Sequence, residues 1–162
     1  MTHPTIPPAV WFIAAGAAQH VFAPQRKTTR RSRITASVIA ASAVWFGNRS
    51  LQEFTRQGTT FHPNKPGKAT ALIINGPNSV TRNPMYTGLA GLLLAHAVAR
   101  RSVPALIPLA GFVAVLNTGQ IPAEEDGLRE TFGAEYEQYC QRVPRWVSPQ
   151  TIPLLGTWLR NH

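Results

Sequence analysis

The chain has 162 residues, a formal net charge of +9 and only 14% charged residues, against roughly 25% in ordinary soluble domains. Its length fits a single domain, 1–162, and its one cysteine, Cys140, excludes an intramolecular disulfide and a cysteine metal site. The basic residues form scattered clusters rather than one stripe with interleaved aromatics, which argues against nucleic acid as a partner.

The order of the charges is more informative than their number. Residues 1–25, 34–48, 83–99 and 102–123 contain no Asp, Glu, Lys or Arg. Blocks of this kind offer water no polar face, and a bilayer span needs about 20 mostly apolar residues. They read as four transmembrane helices over about 8–23, 34–48, 84–99 and 103–121. The alternative is a soluble bundle whose buried helices are apolar all round.

Block one contains W11-F-I-A-A-G-A-A and ends near Gln19 and His20, which read as interfacial or helix-packing residues. The link after it holds Arg26, Lys27, Arg30, Arg31 and Arg33. Juxtamembrane clusters of this type bind anionic headgroups or set topology, so membrane lipids are expected partners. Block two is rich in Ala and Ser, which allow close helix approach in lipid. Trp45 and Phe46 at its end suit the aromatic belt.

Residues 47–83 read as a long polar connection, and loops of that length are usually functional. The stretch A69-T-A-L-I-I is either a short strand or a docked segment. Asn83 is a good N-cap for block three, and Pro84 suits the first helical position because its missing N–H would be unpaired there. Tyr86 then falls in the first turn. Gly88, Gly91, Ala95 and Ala99 put small residues on one side of this helix, and Arg100 and Arg101 end it.

Pro104 restarts block four, so blocks three and four form an antiparallel hairpin. Pro122 can open another helix, with Glu124, Glu125 and Asp126 in its first turn, where acids complement the dipole. Leu128, Phe132, Tyr136 and Cys140 recur every four residues as one apolar stripe. Gly133 is expected to break this stretch into two C-terminal helices over about 122–142. No metal site is expected.

The hairpin has a chemical consequence. It would bring Arg82, Asn83 and Tyr86 at the start of block three beside Glu124 and Glu125 at the end of block four. Each cluster alone has a structural reading, as a helix start or a dipole complement. Together they would form one wall of a polar site at the membrane surface.

Three ordered motifs carry a resemblance: G76-P-N-S-V-T-R-N-P-M-Y-T-G, then P122-A-E-E-D-G-L-R-E-T-F-G-A-E-Y-E-Q-Y, then R142-V-P-R-W. With the upstream G58-T-T-F-H-P-N-K-P they resemble the isoprenylcysteine carboxyl methyltransferase-like integral membrane methyltransferases, relatives of the phospholipid N-methyltransferases. The likeness covers about 58–146.

The resemblance implies an all-α integral membrane bundle of about four transmembrane helices with a cytosolic C-terminal helical cap. It implies S-adenosyl-L-methionine (SAM) as methyl donor at the cytosolic face, and a lipophilic acceptor entering from the bilayer. Cofactor contacts are implied at Thr70, Ala71, Leu72, Ile73, Asn78, Asn83, Pro84, Met85, Tyr86 and Glu124, and acceptor contacts at Arg82 and Gln120. It assigns no catalytic residue.

The chain departs from the family pattern at Asn78, Ser79 and Val80, where aromatic–Arg–aromatic is usual. Gln120 stands where the eukaryotic carboxyl methyltransferases place an acceptor-binding arginine, which argues against a prenylcysteine carboxylate. A second class of function is a catalytically silent membrane binding or assembly protein that keeps the fold. One tension concerns topology. The positive-inside tendency would hold the basic link and Arg100–Arg101 in the cytosol, whereas SAM supply places the other end there.

Overall fold

The structure is a computed structural model that describes residues 6–24, 26–56, 71–149 and 151–160. The described residues are helical and contain no strand. In chain order the helices are α1 (Pro8–Phe22), α2 (Arg30–Arg56), α3 (Pro84–Arg100), α4 (Leu106–Val115), α5 (Ile121–Phe132), α6 (Ala134–Arg142) and α7 (Thr151–Arg160). Short 3-10 turns at Gly76–Ser79 and Val103–Ala105 precede α3 and α4. The all-helical expectation therefore holds.

The contacts divide the chain into two units, one of Met1–Val44 and Gly88–Ala123, the other of Trp45–Thr87 and Glu124–His162. In the first unit α1 packs against α4 and the turn before it, with the Phe12 and Phe112 rings edge to face at 6.2 Å. Gln19 on α1 is completely buried and donates from Nε2 to Leu93 O at 3.1 Å and Ala105 O at 2.7 Å. His96 Nδ1 lies 2.9 Å from Gln19 Oε1. A Cβ on Gly91 would come 2.8 Å from the Cβ of Ala43, so the glycine is what lets α2 and α3 touch there.

Helix α3 ends as its sequence predicts, at Arg100, but with an unusual C-terminus. Arg101 adopts φ 52°, the left-handed position normally given to glycine. Its N–H donates to Val98 O and that of Ser102 to Ala97 O, which satisfies the last carbonyls. A non-glycine residue there costs about 1 kcal/mol.

Two expectations about helix ends are corrected. The helix of block two does not stop near 48 but runs on to Arg56, through a segment read as polar connection. Ser50 and Glu53, three residues apart on this extension, are buried, so its packed face is polar and invisible to hydropathy. Pro122 does not open a new helix either. Residues Val103–Phe132 form one helical run, interrupted by a π turn at Leu116–Gln120 in which Ile121 N–H donates five residues back to Leu116 O. Proline inside a helix collides with the carbonyl four residues earlier. The widened turn just before Pro122 offers the slack that it needs.

In the second unit α5 and α6 are separated at Gly133, whose φ of 49° favours glycine. The stripe of Leu128, Phe132 and Cys140 packs against the buried Tyr136, Tyr139 and Val143. Leu72 and Ile74 join the same cluster, so this part of the 69–74 stretch is docked rather than a strand. Helix α7, which the sequence patterns did not indicate, lies against the Gly76–Ser79 turn.

Candidate active site

The site is built in the second unit on the Gly76–Ser79 turn. Gly76 has φ 61°, and a Cβ there would meet Glu53 Cγ at 2.9 Å. Conformation and space both require glycine. The turn buries Asn78, whose carbonyl accepts a 2.6 Å hydrogen bond from the Tyr139 hydroxyl. The Nδ2 of Asn78 is buried with no partner among the described residues.

Residues 81–83 are then stitched to the segment after α6. Arg82 N–H donates to Pro144 O at 2.9 Å. Thr81 Oγ1 donates to Arg145 O at 2.8 Å, and Asn83 Nδ2 donates to the same carbonyl at 3.1 Å. Asn83 holds the cap position of α3, since its carbonyl accepts from Thr87 N–H at 2.9 Å. Its side chain is turned toward Arg145 instead of back onto the helix. The second and third sequence motifs are thus in direct contact with the first.

The two adjacent glutamates face different partners, as the 100° step of a helix requires. Glu124 is half-buried and accepts a 2.6 Å hydrogen bond from the Tyr86 hydroxyl. Tyr86 is itself buried. Glu125 is 3% exposed. Its Oε1 accepts from Arg82 Nη2 at 2.9 Å and Arg145 Nε at 3.0 Å, and its Oε2 from Arg145 Nη2 at 2.6 Å. Arg82 also donates from Nη1 to Val143 O at 2.8 Å and Cys140 O at 3.3 Å.

The electrostatics follow from this arrangement. Burial pushes the Glu125 carboxyl up, but the hydrogen bonds from Arg145 and Arg82 outweigh it and hold the group below the usual carboxylate range. Burial likewise opposes the charge on Arg82, and Glu125 more than offsets it. The Tyr139 phenol is raised well above its usual value, chiefly by burial, so it stays a donor to Asn78. Among the described residues no group of acids, histidines or cysteines could hold a metal ion.

Of the residues singled out from sequence, the structure brings together Arg82, Asn83 and Tyr86 with Glu124 and Glu125. Pro84 is buried and Met85 half-buried at the start of α3. Ile73 is buried, with Ala71 and Leu72 half-buried beside it in the chain. Thr70 and the 58–66 motif lie outside the described residues. Gln120 belongs to the first unit, where it is buried at the end of the π turn. Arg82, expected to meet the acceptor, has both Nη atoms committed to the protein.

Sequence reasoning gave no role to Arg145 or to Glu53. The signal for Arg145 was its place in R142-V-P-R-W. Glu53 had no signal, because it matters only through its contact with a turn some twenty residues on.

The sequence pattern of the phospholipid methyltransferase family matches residues 32–135, more than half of the chain. An uncharacterized protein of Haemophilus influenzae is 38% identical over 63 residues, which cover 39% of this chain and all of that protein. No solved structure matches. The match spans the Gly76 turn, the Arg82–Tyr86 segment and both glutamates, and the chain belongs to the phospholipid methyltransferase family.

Proposed function

We propose that this protein is an isoprenylcysteine carboxyl methyltransferase-like membrane enzyme that transfers a methyl group from SAM to a lipophilic acceptor. The observation that carries this reading is the Tyr86–Glu124 hydrogen bond, which joins two separate family motifs at a half-buried carboxylate. The polar groups present suit the cofactor. Glu124 can accept from its amino group or ribose hydroxyls. The buried Nδ2 of Asn78, without a partner among the described residues, is a donor that an acceptor on the cofactor would satisfy. The Tyr86 ring tolerates a nearby cation.

When bound, SAM supplies an already activated methyl group on a sulfonium. The chain's task is then alignment and exclusion of water, which can contribute about 7–11 kcal/mol. Tyr86 orients the Glu124 carboxylate. Glu125, Arg82 and Arg145 fix the two chain segments that carry these groups. Arg82 is thus assigned a positioning role, which leaves Gln120 as the acceptor contact that the family resemblance implies.

The membrane reading rests on where polar and apolar residues lie. On α1, Ile13, Val21 and Phe22 are 67%, 70% and 80% exposed while Gln19 is fully buried. Water would select the reverse, whereas lipid favours it. The 30-residue run Val103–Phe132 is long and apolar enough to cross a bilayer. Helix α1 has 15 residues and α3 has 17, or about 22 and 26 Å. Tilt, snorkelling arginines and local thinning accommodate such lengths in a core of about 30 Å. We therefore favour a four-span protein whose glutamate end faces the cytosol, where SAM is made. The opposite face then holds seven Lys and Arg, in the first link and the Arg100–Arg101 turn, so this orientation rests on SAM supply and not on the positive-inside bias.

Topology is tested by single cysteines at 101 and 127 in a Cys140→Ala background. An impermeant thiol reagent applied from one side should label only one of them. Labelling of both from the same side would show that the helix between them does not cross.

The acceptor is tested with labelled SAM and a panel of lipophilic phenols, thiols, amines and carboxylates. An arginine can clamp a carboxylate with two parallel bonds, and glutamine supplies only neutral amide contacts. Wild type should prefer the neutral nucleophiles, each losing a proton as it gains the methyl group, and Gln120→Arg should shift the preference toward carboxylates. Efficient carboxylate methylation by wild type, unimproved by the arginine, would reject this assignment. Absence of any SAM binding would reject the enzyme itself.

A further inference from the structure

The charges of the two units are sharply unequal. All seven Asp and Glu of the chain fall in the second unit. The first holds Arg26, Lys27, Arg30, Arg31, Arg33, Arg100 and Arg101 and no acidic residue. Arg100 is buried and spends its donors on His20 O at 3.2 Å and Ala23 O at 2.8 Å. The other six are exposed, and none has an ion pair among the described residues.

Hydrogen bonds hold Arg26, Lys27 and Arg101 together, and Arg30, Arg31 and Arg33 follow within six residues of Lys27. Arg26 N–H donates to Arg100 O at 3.2 Å, and Arg101 Nη1 donates to Lys27 O at 3.1 Å. The link after α1 is thereby fastened to the turn after α3. Thr29 and Ser32 exchange hydrogen bonds at the start of α2, which sets Arg30, Arg31 and Arg33 in and just beyond its first turn. That is the end of a helix dipole that repels cations. A cluster so placed has no acid in its unit and no ion pair among the described residues.

An apolar groove of about 350 Å³ adjoins it, lined by Leu94, Val98, Arg101, Ser102, Val103 and Leu106. Arg101 brings the one charge in this lining. Ser102, 6% exposed, lines the groove too, and its hydroxyl has no partner among the described residues.

We propose that this surface binds an anionic phospholipid, with the headgroup on Arg101 and the link cations and an acyl chain along the groove. A free phosphate would satisfy the cations and leave the groove empty. A zwitterionic lipid would fill the groove and leave the cations uncompensated. An acidic amphiphile satisfies both. The inference rests on the membrane placement proposed above and not on methyl transfer.

The test uses the purified full chain in a non-ionic detergent. Thermal unfolding is followed while short-chain phosphatidylglycerol, phosphatidylcholine of the same chain length, or inorganic phosphate is titrated in. Phosphatidylglycerol should bind at least about tenfold more tightly than phosphatidylcholine, and phosphate should have no effect at matched concentration. Each juxtamembrane cation is worth about fivefold in affinity for an acidic surface. The triple variant Arg30→Gln, Arg31→Gln, Arg33→Gln should therefore lose about tenfold for phosphatidylglycerol, and with it most of the preference over phosphatidylcholine, whose binding is unchanged.

Arg101→Gly separates binding from folding. It removes a cation from the site and a side chain from a left-handed backbone position, so without lipid it should melt no lower than wild type. It should still bind phosphatidylglycerol about fivefold or more weakly. Equal binding of the two lipids, an equal response to phosphate, or unchanged phosphatidylglycerol binding by both variants would overturn the proposal. Failure of the membrane reading is distinguishable, because wild type would then stay monodisperse without detergent.

Discussion

Glu125→Ala is expected to unfold the second unit at temperatures where wild type is stable, at a cost of about 3–5 kcal/mol. The reason is what the substitution leaves behind. Arg82 and Arg145 both converge on this carboxylate at 2.6–3.0 Å, and the side chain of Arg82 is only 12% exposed. Deleting the acid strands a buried guanidinium that must still be desolvated. Glu125→Gln keeps an acceptor and the volume but not the charge, so its cost should fall between the alanine variant and wild type. Thermal unfolding in detergent measures both.

The effect has a pH signature. The folded Glu125 carboxyl titrates below its usual value. Its contribution is therefore complete above the unfolded carboxyl's pKa and is lost as pH falls through the lowered folded one. Wild type should lose stability in that acid window and Glu125→Gln should lose less. Equal melting of all three proteins at neutral pH would show that the cluster is not what holds the segments together.

Sequence legibility varied with how local the determinant was. Charge-free runs gave the helices, Pro84 gave the start of α3, and Gly133 gave the break between α5 and α6, because each is a property of a residue and its near neighbours. The four-residue stripe from Leu128 to Cys140 located the face that packs on Tyr136 and Tyr139. The extension of α2 to Arg56 was hidden because its buried positions, Ser50 and Glu53, are polar. Pro122 was misread because relief of its clash comes from a π turn earlier in the helix, which has no sequence signature.

The same logic applies to the site. Both glutamates were legible as a pair at one end of a predicted hairpin. Their division of labour was not. Glu125 finds Arg82 forty-three residues upstream and Arg145 twenty downstream, and no local pattern encodes either pairing. The spacing argument places Glu125 about 100° from Glu124 on the helix; only the packed structure gives it two arginines.

Glu124→Gln is expected to weaken SAM binding by roughly one to two decades while leaving the unfolding temperature near that of wild type. A hydrogen bond to a charged group is worth about 1.5–3 kcal/mol, and the amide would replace a charged acceptor with a weaker one. Tyr86 acts on the same carboxylate. Its hydroxyl donates to Glu124 Oε1 at 2.6 Å, so Tyr86→Phe leaves the ring in place but releases the acid. That variant should bind SAM about tenfold more weakly, and Tyr86→Ala more weakly still, since it also loses the ring.

The two residues should not act independently. If the hydroxyl serves to hold the carboxylate, Tyr86→Phe adds little once Glu124 is already glutamine, and the double variant falls well short of the sum of the singles. Titration calorimetry with SAM on the four proteins measures this coupling, and the unfolding temperature of each separates binding from folding. Additive losses would mean that Tyr86 meets the cofactor by a separate route. Lowered melting temperatures with unchanged SAM affinity would make the pair a structural clamp and move the cofactor site elsewhere.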